Sequence, residues 1–330
     1  MTDPDQNTAS SGGVEPGEIT ILLATHNGAA HLFDQLASIT GQTDERWRLV
    51  VRDDRSTDST TEMLAEASAS DPRISWAPVV GPDMEVGLRY LSMLRLVDTE
   101  LFAFADQDDL WEPNKLANAR RALAATTRPV ALAACDSQPV DHTLSPLGPV
   151  VRVRQGYRSL DDATLGRVLF QNPVPGHTIL GTAALAALAT TILDSDSAPA
   201  LSIMHDWFVT LCAIAAGELV GTGTTDVHYR QHRSNARGAP SDHRGRFTNI
   251  SQRSLAQRTG DIIGPAAAHS EALIRVLGSE DLAQHRPLLD SVTLCGRQEP
   301  ASRAQLIRCW HQGAFVRPLP GQLALLLGAR

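Results

Sequence analysis

Leu101-Phe102-Ala103-Phe104-Ala105-Asp106-Gln107-Asp108-Asp109-Leu110-Trp111 decides how the rest of the chain is read. The run Leu101 to Ala105 has the composition of a buried strand, and it stops on three carboxylates within four positions. Carboxylates held together repel, so the cluster needs a cation or another positive partner. In an open α/β sheet the ligand site lies off the carboxyl ends of parallel strands, which is where this cluster would fall. The stretch therefore points to a divalent metal and a phosphate-bearing ligand. Asp106 and Asp108, two apart in an extended chain, can face one site. Mg²⁺ or Mn²⁺ takes carboxylate oxygens and keeps positions open for phosphate. The competing reading is an acidic surface loop.

Upstream, Glu18 to Ala24 is β-rich and closes on Thr25-His26-Asn27-Gly28; Gly28 permits a tight turn and close approach to a ligand. Trp47 to Val51 reads as a second strand ending at Asp53-Asp54, and Ser56 to Ser59 as a helix start. Arg73 to Val79 reads as a third strand, and Val86 to Val97 as a helix with Leu88, Leu91 and Leu94 on its core face. Pro113 suits the first turn of a helix over Asn114 to Ala125, and Val130 to Cys135 is another strand. This alternation predicts an α/β fold with a mostly parallel central sheet flanked by helices. Further on, residues 137–160 read as loops with a short strand pair, and Asp161 to Phe170 as a helix. Gly176 to Leu180 is extended, Thr182 to Leu193 and Ile203 to Ala216 are helices, and Glu218 to Tyr229 is a β-ribbon. A Gly/Arg-rich linker is expected over Gly238 to Thr248. The expected organisation is a disordered tail (1–17), an α/β domain (18–238) and a basic, mostly helical extension (239–330).

With 330 residues, 42% hydrophobic and 20% charged, the composition is that of a soluble globular protein. No apolar run approaches the roughly 20 residues that span a bilayer. Met1 to Gly17 lacks a signal-peptide core, so a cytoplasmic location is expected. The four cysteines are widely separated, which predicts reduced, buried thiols. Residues 1–227 hold 15 basic against 30 acidic side chains, whereas residues 228–330 hold 14 against 7. A basic tail attracts anionic lipid, diphosphate or nucleic acid, or is simply solvated; scattered arginines without interleaved aromatics put nucleic acid last. Lys115 is the only lysine.

Acceptors at the end of a strand, such as Asp53 and Asp54, can bind a base N–H and ribose hydroxyls; a helix cap would account for Ser56 or Asp58 but not for that pair. Asp206 opens an apolar helix and is either a cap stabilised by the helix dipole or a proton acceptor. His232 is either a metal ligand through neutral imidazole or a surface residue. Arg230 or Arg233 could pair with diphosphate oxygens.

Six blocks occur in order: Thr25-His26-Asn27; Asp53 to Asp58; Ala105 to Trp111 with Pro113 and Lys115; Gly176-His177-Thr178; His205-Asp206-Trp207; and Tyr229 to Asn235. Together they resemble a family 2 glycosyltransferase with the GT-A fold, a Rossmann-like sheet. The last two blocks resemble the subgroup containing bacterial rhamnosyltransferases of surface polysaccharide assembly. The resemblance implies that Thr25, Asn27, Asp53 and Asp54 hold the nucleoside, while Asp106 spans ribose and metal. It implies Asp108 as direct metal ligand, His232 completing that site, and Arg230 and Lys115 on the diphosphate. Asp206 would be the base, with Gly176, His177, Thr178 and Trp207 bordering the acceptor. Two departures are His26, where many relatives have Tyr, and Arg55, where Gly usually follows the Asp pair. The implied reaction is inverting, metal-dependent transfer of a sugar, rhamnose first, from dTDP-rhamnose or a UDP-sugar. The acceptor would be a hydroxyl of a glycan or of a polyprenyl-diphosphate-linked glycan, with peripheral contact at the inner leaflet through the basic tail. A sugar nucleotidyltransferase would want a basic, Gly-rich loop after the first strand, which Ala24 to Gly28 lacks. A non-catalytic sugar-nucleotide-binding protein would not need Asp106, Asp108 and Asp206 together.

Overall fold

A computed structural model describes residues 17–79, 85–194, 203–232 and 255–296. The expected N-terminal tail, the Gly238–Thr248 linker, Arg233 and the end of the basic tail lie outside those residues. Eight strands form one sheet: β1 (Ile19–Thr25), β2 (Trp47–Asp53), β3 (Ile74–Pro78), β4 (Leu101–Asp106), β5 (Leu110–Trp111), β6 (Ala131–Val140), β7 (Ile179–Thr182) and β8 (Glu218–Arg230). Their order is β3-β2-β1-β4-β7-β6-β8-β5. The first four pair in parallel, β7 runs antiparallel between β4 and β6, and β8 pairs parallel with β6. The reversal of β7 leaves β6 and β8 pointing the same way as β1 to β4, and the two-residue β5 at the edge runs antiparallel to β8. The carboxyl ends Thr25, Asp53, Asp106, Val140 and Arg230 therefore gather at one end of the sheet.

Strand alternation divides the core. Ile19, Ile21 and Leu23 of β1 and Leu101, Ala103 and Ala105 of β4 face one layer, with helices α1 (Leu32–Thr40), α2 (Thr60–Ser70) and α4 (Lys115–Leu123). Leu22, Phe102 and Phe104 face the other, with α3 (Val86–Met93), α7 (Ala183–Thr190) and α8 (His205–Ala216). Two short helices, α5 (Val151–Arg154) and α6 (Leu165–Val168), lie between β6 and β7 in sequence. The C-terminal helices α9 (Leu255–Val276) and α10 (Ser279–Gly296) add Leu273, Leu289 and Val292 to the α8 layer, so their apolar faces share this core. No helix among the described residues is long and apolar enough to cross a membrane.

Three local expectations change. β6 continues to Val140, because β8 pairs along its length, where loops were expected. The expected β-ribbon is one 13-residue strand, β8. Gly176–Thr178 makes a 3₁₀ turn before β7 instead of extended chain. Cys135 and Cys212 are free and buried, and burial pushes both thiols up, Cys135 to about 12.

Candidate active site

The acidic loop leaves β4 between two fixed points. Tyr90, on α3, donates to Ala105 O (2.8 Å) and Asp106 Oδ1 (3.2 Å), and its hydroxyl accepts from Ala24 N (3.3 Å), so one phenol joins the ends of β1 and β4. Gln107 turns back to the β1 loop. Its Oε1 accepts from His26 N (2.9 Å) and its Nε2 donates to His26 O (3.1 Å), so a side-chain amide pairs with a backbone amide. A Cβ on Gly28 would collide with this carboxamide, which gives the glycine a steric purpose.

The three carboxylates then diverge. Asp106 is 37% exposed and its Oδ2 lies 3.1 Å from His177 Nδ1. Asp109 is fully buried; its Oδ1 accepts from Arg230 N (3.2 Å), and its Oδ2 lies 2.8 Å from the same His177 nitrogen. Burial raises the Asp109 carboxyl to about 6, while Asp109 and Asp106 outweigh burial at His177 and lift it to about 10. His177 is thus an internal imidazolium between two carboxylates. Asp108 points elsewhere, with Oδ2 2.7 Å from His232 Nε2, and burial and the Asp106 charge raise its carboxyl. His232 stands with its ring 5.1 Å from that of His31.

The β2 end is closed by comparison. Asp53 accepts from Thr25 Oγ1 (2.8 Å), Ser56 Oγ (2.6 Å) and Ser56 N (2.9 Å). Asp54 pairs with Arg89 of α3. Asn27, at φ 49, donates its backbone N–H to Ser56 Oγ (2.9 Å) and accepts from Thr57 N (2.8 Å). Asp58 accepts from Thr60 N and Ala29 N, the capping role. His26 Nδ1 lies 2.7 Å from Asp54 O, and Arg55 adopts φ 56, the left-handed backbone that a glycine would take at no steric cost.

At the β8 end, Arg230 donates to Asp34 (2.6 Å) and lies 3.0 Å from His31 Nδ1. Asp206 opens α8 next to His205, whose ring stacks on Tyr90 at 4.3 Å. A Cβ on Gly176 would come within 2.7 Å of His205 Nε2 and 3.5 Å of Asp206 Cβ. Asp206 therefore lies against the residue preceding His177, the partner of Asp106.

The sequence-predicted residues thus fall into groups. Thr25, Asn27, Asp53 and Asp54 meet at the β1 and β2 ends, and Asp108 and His232 touch. Gly176, His177 and Thr178 are buried beneath the acidic loop. Lys115 is enclosed: its ammonium lies 3.7 Å over the Trp111 ring, and burial lowers it to about 8, so it does not present its charge to a diphosphate. Trp207 turns away from the sheet end, donating to Val168 O (2.5 Å) and packing 4.7 Å from His269. His31, Asp34, Tyr90, Arg89 and the Gln107 amide had no assigned role in the sequence; only Gln107, inside the acidic run, carried any signal.

Two groupings could hold a cation. Asp106, Asp109 and His177 bring ligand atoms within 4.8 Å of one another. Two of these residues are closed to solvent and already balanced in charge. Asp108 and His232, with side chains 14% and 25% exposed, offer carboxylate oxygen and imidazole nitrogen at an accessible position, and fit an exchangeable Mg²⁺ or Mn²⁺.

Comparison with known proteins agrees with this architecture. Residues 20–170 match the model of glycosyl transferase family 2. The dTDP-rhamnosyl transferase RfbG of Shigella flexneri is 26% identical over 239 residues, 69% of this chain and 78% of that protein. The putative teichuronic acid biosynthesis glycosyltransferase TuaG of Bacillus subtilis is 24% identical over 98 residues, 30% of this chain and 38% of that protein. In fold, the chain resembles S. aureus TarS 1–349 in complex with UDP-GlcNAc: TM-score 0.51, 14% identity, 91% of this chain and 93% of that one. It spans 53% of another TarS chain. The mannosyltransferase PcManGT of Pyrobaculum calidifontis, in complex with GDP-Man and Mn²⁺, gives TM-score 0.52 at 18% identity, over 95% of this chain and 79% of that one.

Proposed function

Starting from a chain that carries a glycosyl transferase family 2 domain on a GT-A fold and is a glycosyltransferase, we propose that it transfers rhamnose from dTDP-rhamnose, with inversion, to a hydroxyl of a lipid-linked glycan. The observation that carries the reading is the half-open Asp108–His232 pair beside Asp106, with Asp206 against Gly176 at the same sheet end. The rhamnosyl donor rests on the similarity to RfbG over most of both chains.

Thr25, Asn27 and Asp54 frame the nucleoside, and Asp106 receives the ribose. Asp108 and His232 would hold Mg²⁺ or Mn²⁺, which when bound offsets the charge of the leaving diphosphate. Asp206 accepts the proton of the acceptor hydroxyl as that oxygen attacks the anomeric carbon opposite the diphosphate. One displacement inverts the anomeric centre. The basic region after residue 228 supplies peripheral attraction to anionic lipid at the inner leaflet.

The test is Asp206→Asn. It should keep nucleotide-sugar binding and lower turnover by about 10²–10⁴-fold, the range general-base catalysis supplies. Near-normal turnover would remove Asp206 as the base. A thermal-shift panel of nucleotide-sugars with Mn²⁺ tests the donor: greater stabilisation by dTDP-rhamnose than by UDP-sugars supports the reading, and indifference to every nucleotide sinks it.

A further inference from the structure

Five large apolar side chains stand exposed among the described residues: Phe33, Val86, Leu144, Leu147 and Val153. The topology puts them around one end of the sheet. Phe33 is the second residue of the helix after β1, next to Asp34, which holds Arg230. Val86 opens the helix after β3, and Arg89 of that helix reaches Asp54 at the β2 end. Leu144 and Leu147 lie in the turn after β6, whose last residue pairs with Arg230. Val153 is on α5, which Arg154 fastens to that turn through Leu147 O (2.5 Å) and Pro149 O (2.9 Å). This is the end that carries the acidic loop.

The turn after β6 is firmly built. Asp141 Oδ1 accepts from Thr143 N (2.8 Å), Thr143 Oγ1 (2.7 Å) and Ser145 N (3.0 Å). Leu147 N donates to Pro139 O (2.8 Å), and Gln138 Nε2 to Gly148 O (2.8 Å). In that frame Leu144 is held at φ 63, a conformation costly for a leucine. Leu144 is left 37% exposed in this strained conformation, and the cost is explained if the leucine also serves a contact outside the chain. Residues 142–158 also contain three arginines and no carboxylate, in a chain of net charge −8; Arg152 pairs with Asp136 (2.9 Å), and Arg154 is held by the turn's carbonyls.

We propose that this end of the sheet faces a bilayer, with Leu144, Leu147, Val153 and Phe33 entering the interface. Single apolar residues on separate elements suit a headgroup interface better than the contiguous dry core a protein partner needs. The inference deepens the transferase reading, on which it rests: the acceptor hydroxyl would be presented by a lipid at the membrane surface, directly at the mouth of the site.

The experiment is co-sedimentation of the whole protein with phosphatidylcholine vesicles, with and without phosphatidylglycerol and with no acceptor present. The bound fraction should rise with phosphatidylglycerol and fall with salt. Leu144→Asn combined with Leu147→Ser should weaken binding about tenfold, as should Phe33→Ser. Asn suits the left-handed backbone at 144, so an unchanged melting temperature confirms that the variant is folded. The inference is overturned if wild type stays in the supernatant, or if binding survives the apolar substitutions. It is equally overturned if those substitutions dissociate a dimer seen by light scattering, which would make the face a contact between copies. Thermal shift with nucleotide, run in parallel, separates the two readings. A nucleotide response without vesicle binding sinks this inference alone; vesicle binding without any nucleotide response supports the surface and sinks the transferase reading.

Discussion

Asp53 at the end of β2 and Asp108 just past the end of β4 are both aspartates closing parallel strands that flank β1, yet their carboxylates have opposite surroundings. Asp53 is met by neutral donors from Thr25 and Ser56, which satisfy both its oxygens. Asp108 sits in partial burial beside Asp106, with one imidazole as partner, and its carboxyl is raised. A carboxylate whose acceptors are filled by its own loop holds that loop. One kept short of donors and near a second charge is poised for an external cation.

The largest expected effect follows from this contrast. Asp108→Ala should lower transfer by at least about 10³-fold and abolish metal-dependent nucleotide binding, as for loss of a group that stabilises transition-state charge. The melting temperature should be unchanged or higher, because a repulsion is removed. Asp53→Ala should do the reverse, costing about 2 kcal/mol in urea unfolding by stranding one buried and two part-buried donors. Comparable stability losses in both variants would erase the distinction between the two strand ends.

His177 offers a pH-resolved probe of the same loop. Its imidazole is raised from 6.5 to about 10 in the fold, so its stabilising contribution is complete below pH 6.5 and is lost as pH rises through 10. The stability difference between wild type and His177→Gln should shrink steadily across that window, measured by urea unfolding without metal. A flat difference would mean that the carboxylates do not hold His177 charged.

Smaller effects belong to the connection between the two ends. Gln107→Ala and Gly28→Ala should each raise the donor KM about tenfold, for loss of two hydrogen bonds. Hydrogen exchange at the His26 amide should quicken in both variants. Smallest of all, Arg55→Gly should stabilise the fold by about 1 kcal/mol, by relieving a left-handed backbone, and leave donor binding unaltered.

The strand–helix alternation up to β6 was legible because hydrophobic period and turn chemistry are local. The meeting of Asp108 and His232 was implied only by the family resemblance, because residue type alone leaves His232 equally a surface residue. Lys115 was legible only as a motif residue; nothing local announces that its ammonium is enclosed against Trp111. Nothing local likewise announces that the Trp207 indole donates to Val168 O and packs on His269. Gly28 could be read as a turn, but not as the space for a carboxamide 79 positions later in the chain.

The sequence alone determined the layered α/β class and a cluster of acidic groups at the end of a buried strand, since both follow from burial and charge repulsion between near neighbours. Only the tertiary structure decided what each carboxylate does. The reversal of β7 brings β6 and β8 alongside the N-terminal parallel half, and with them His232 to Asp108 and the Arg230 amide to Asp109; the 3₁₀ turn just before β7 supplies His177. Whether an aspartate locks a loop, shares an internal imidazolium or stands open to a metal depends on donors contributed from up to 124 positions away, and side-chain electrostatics acts only across the few ångströms that folding makes adjacent.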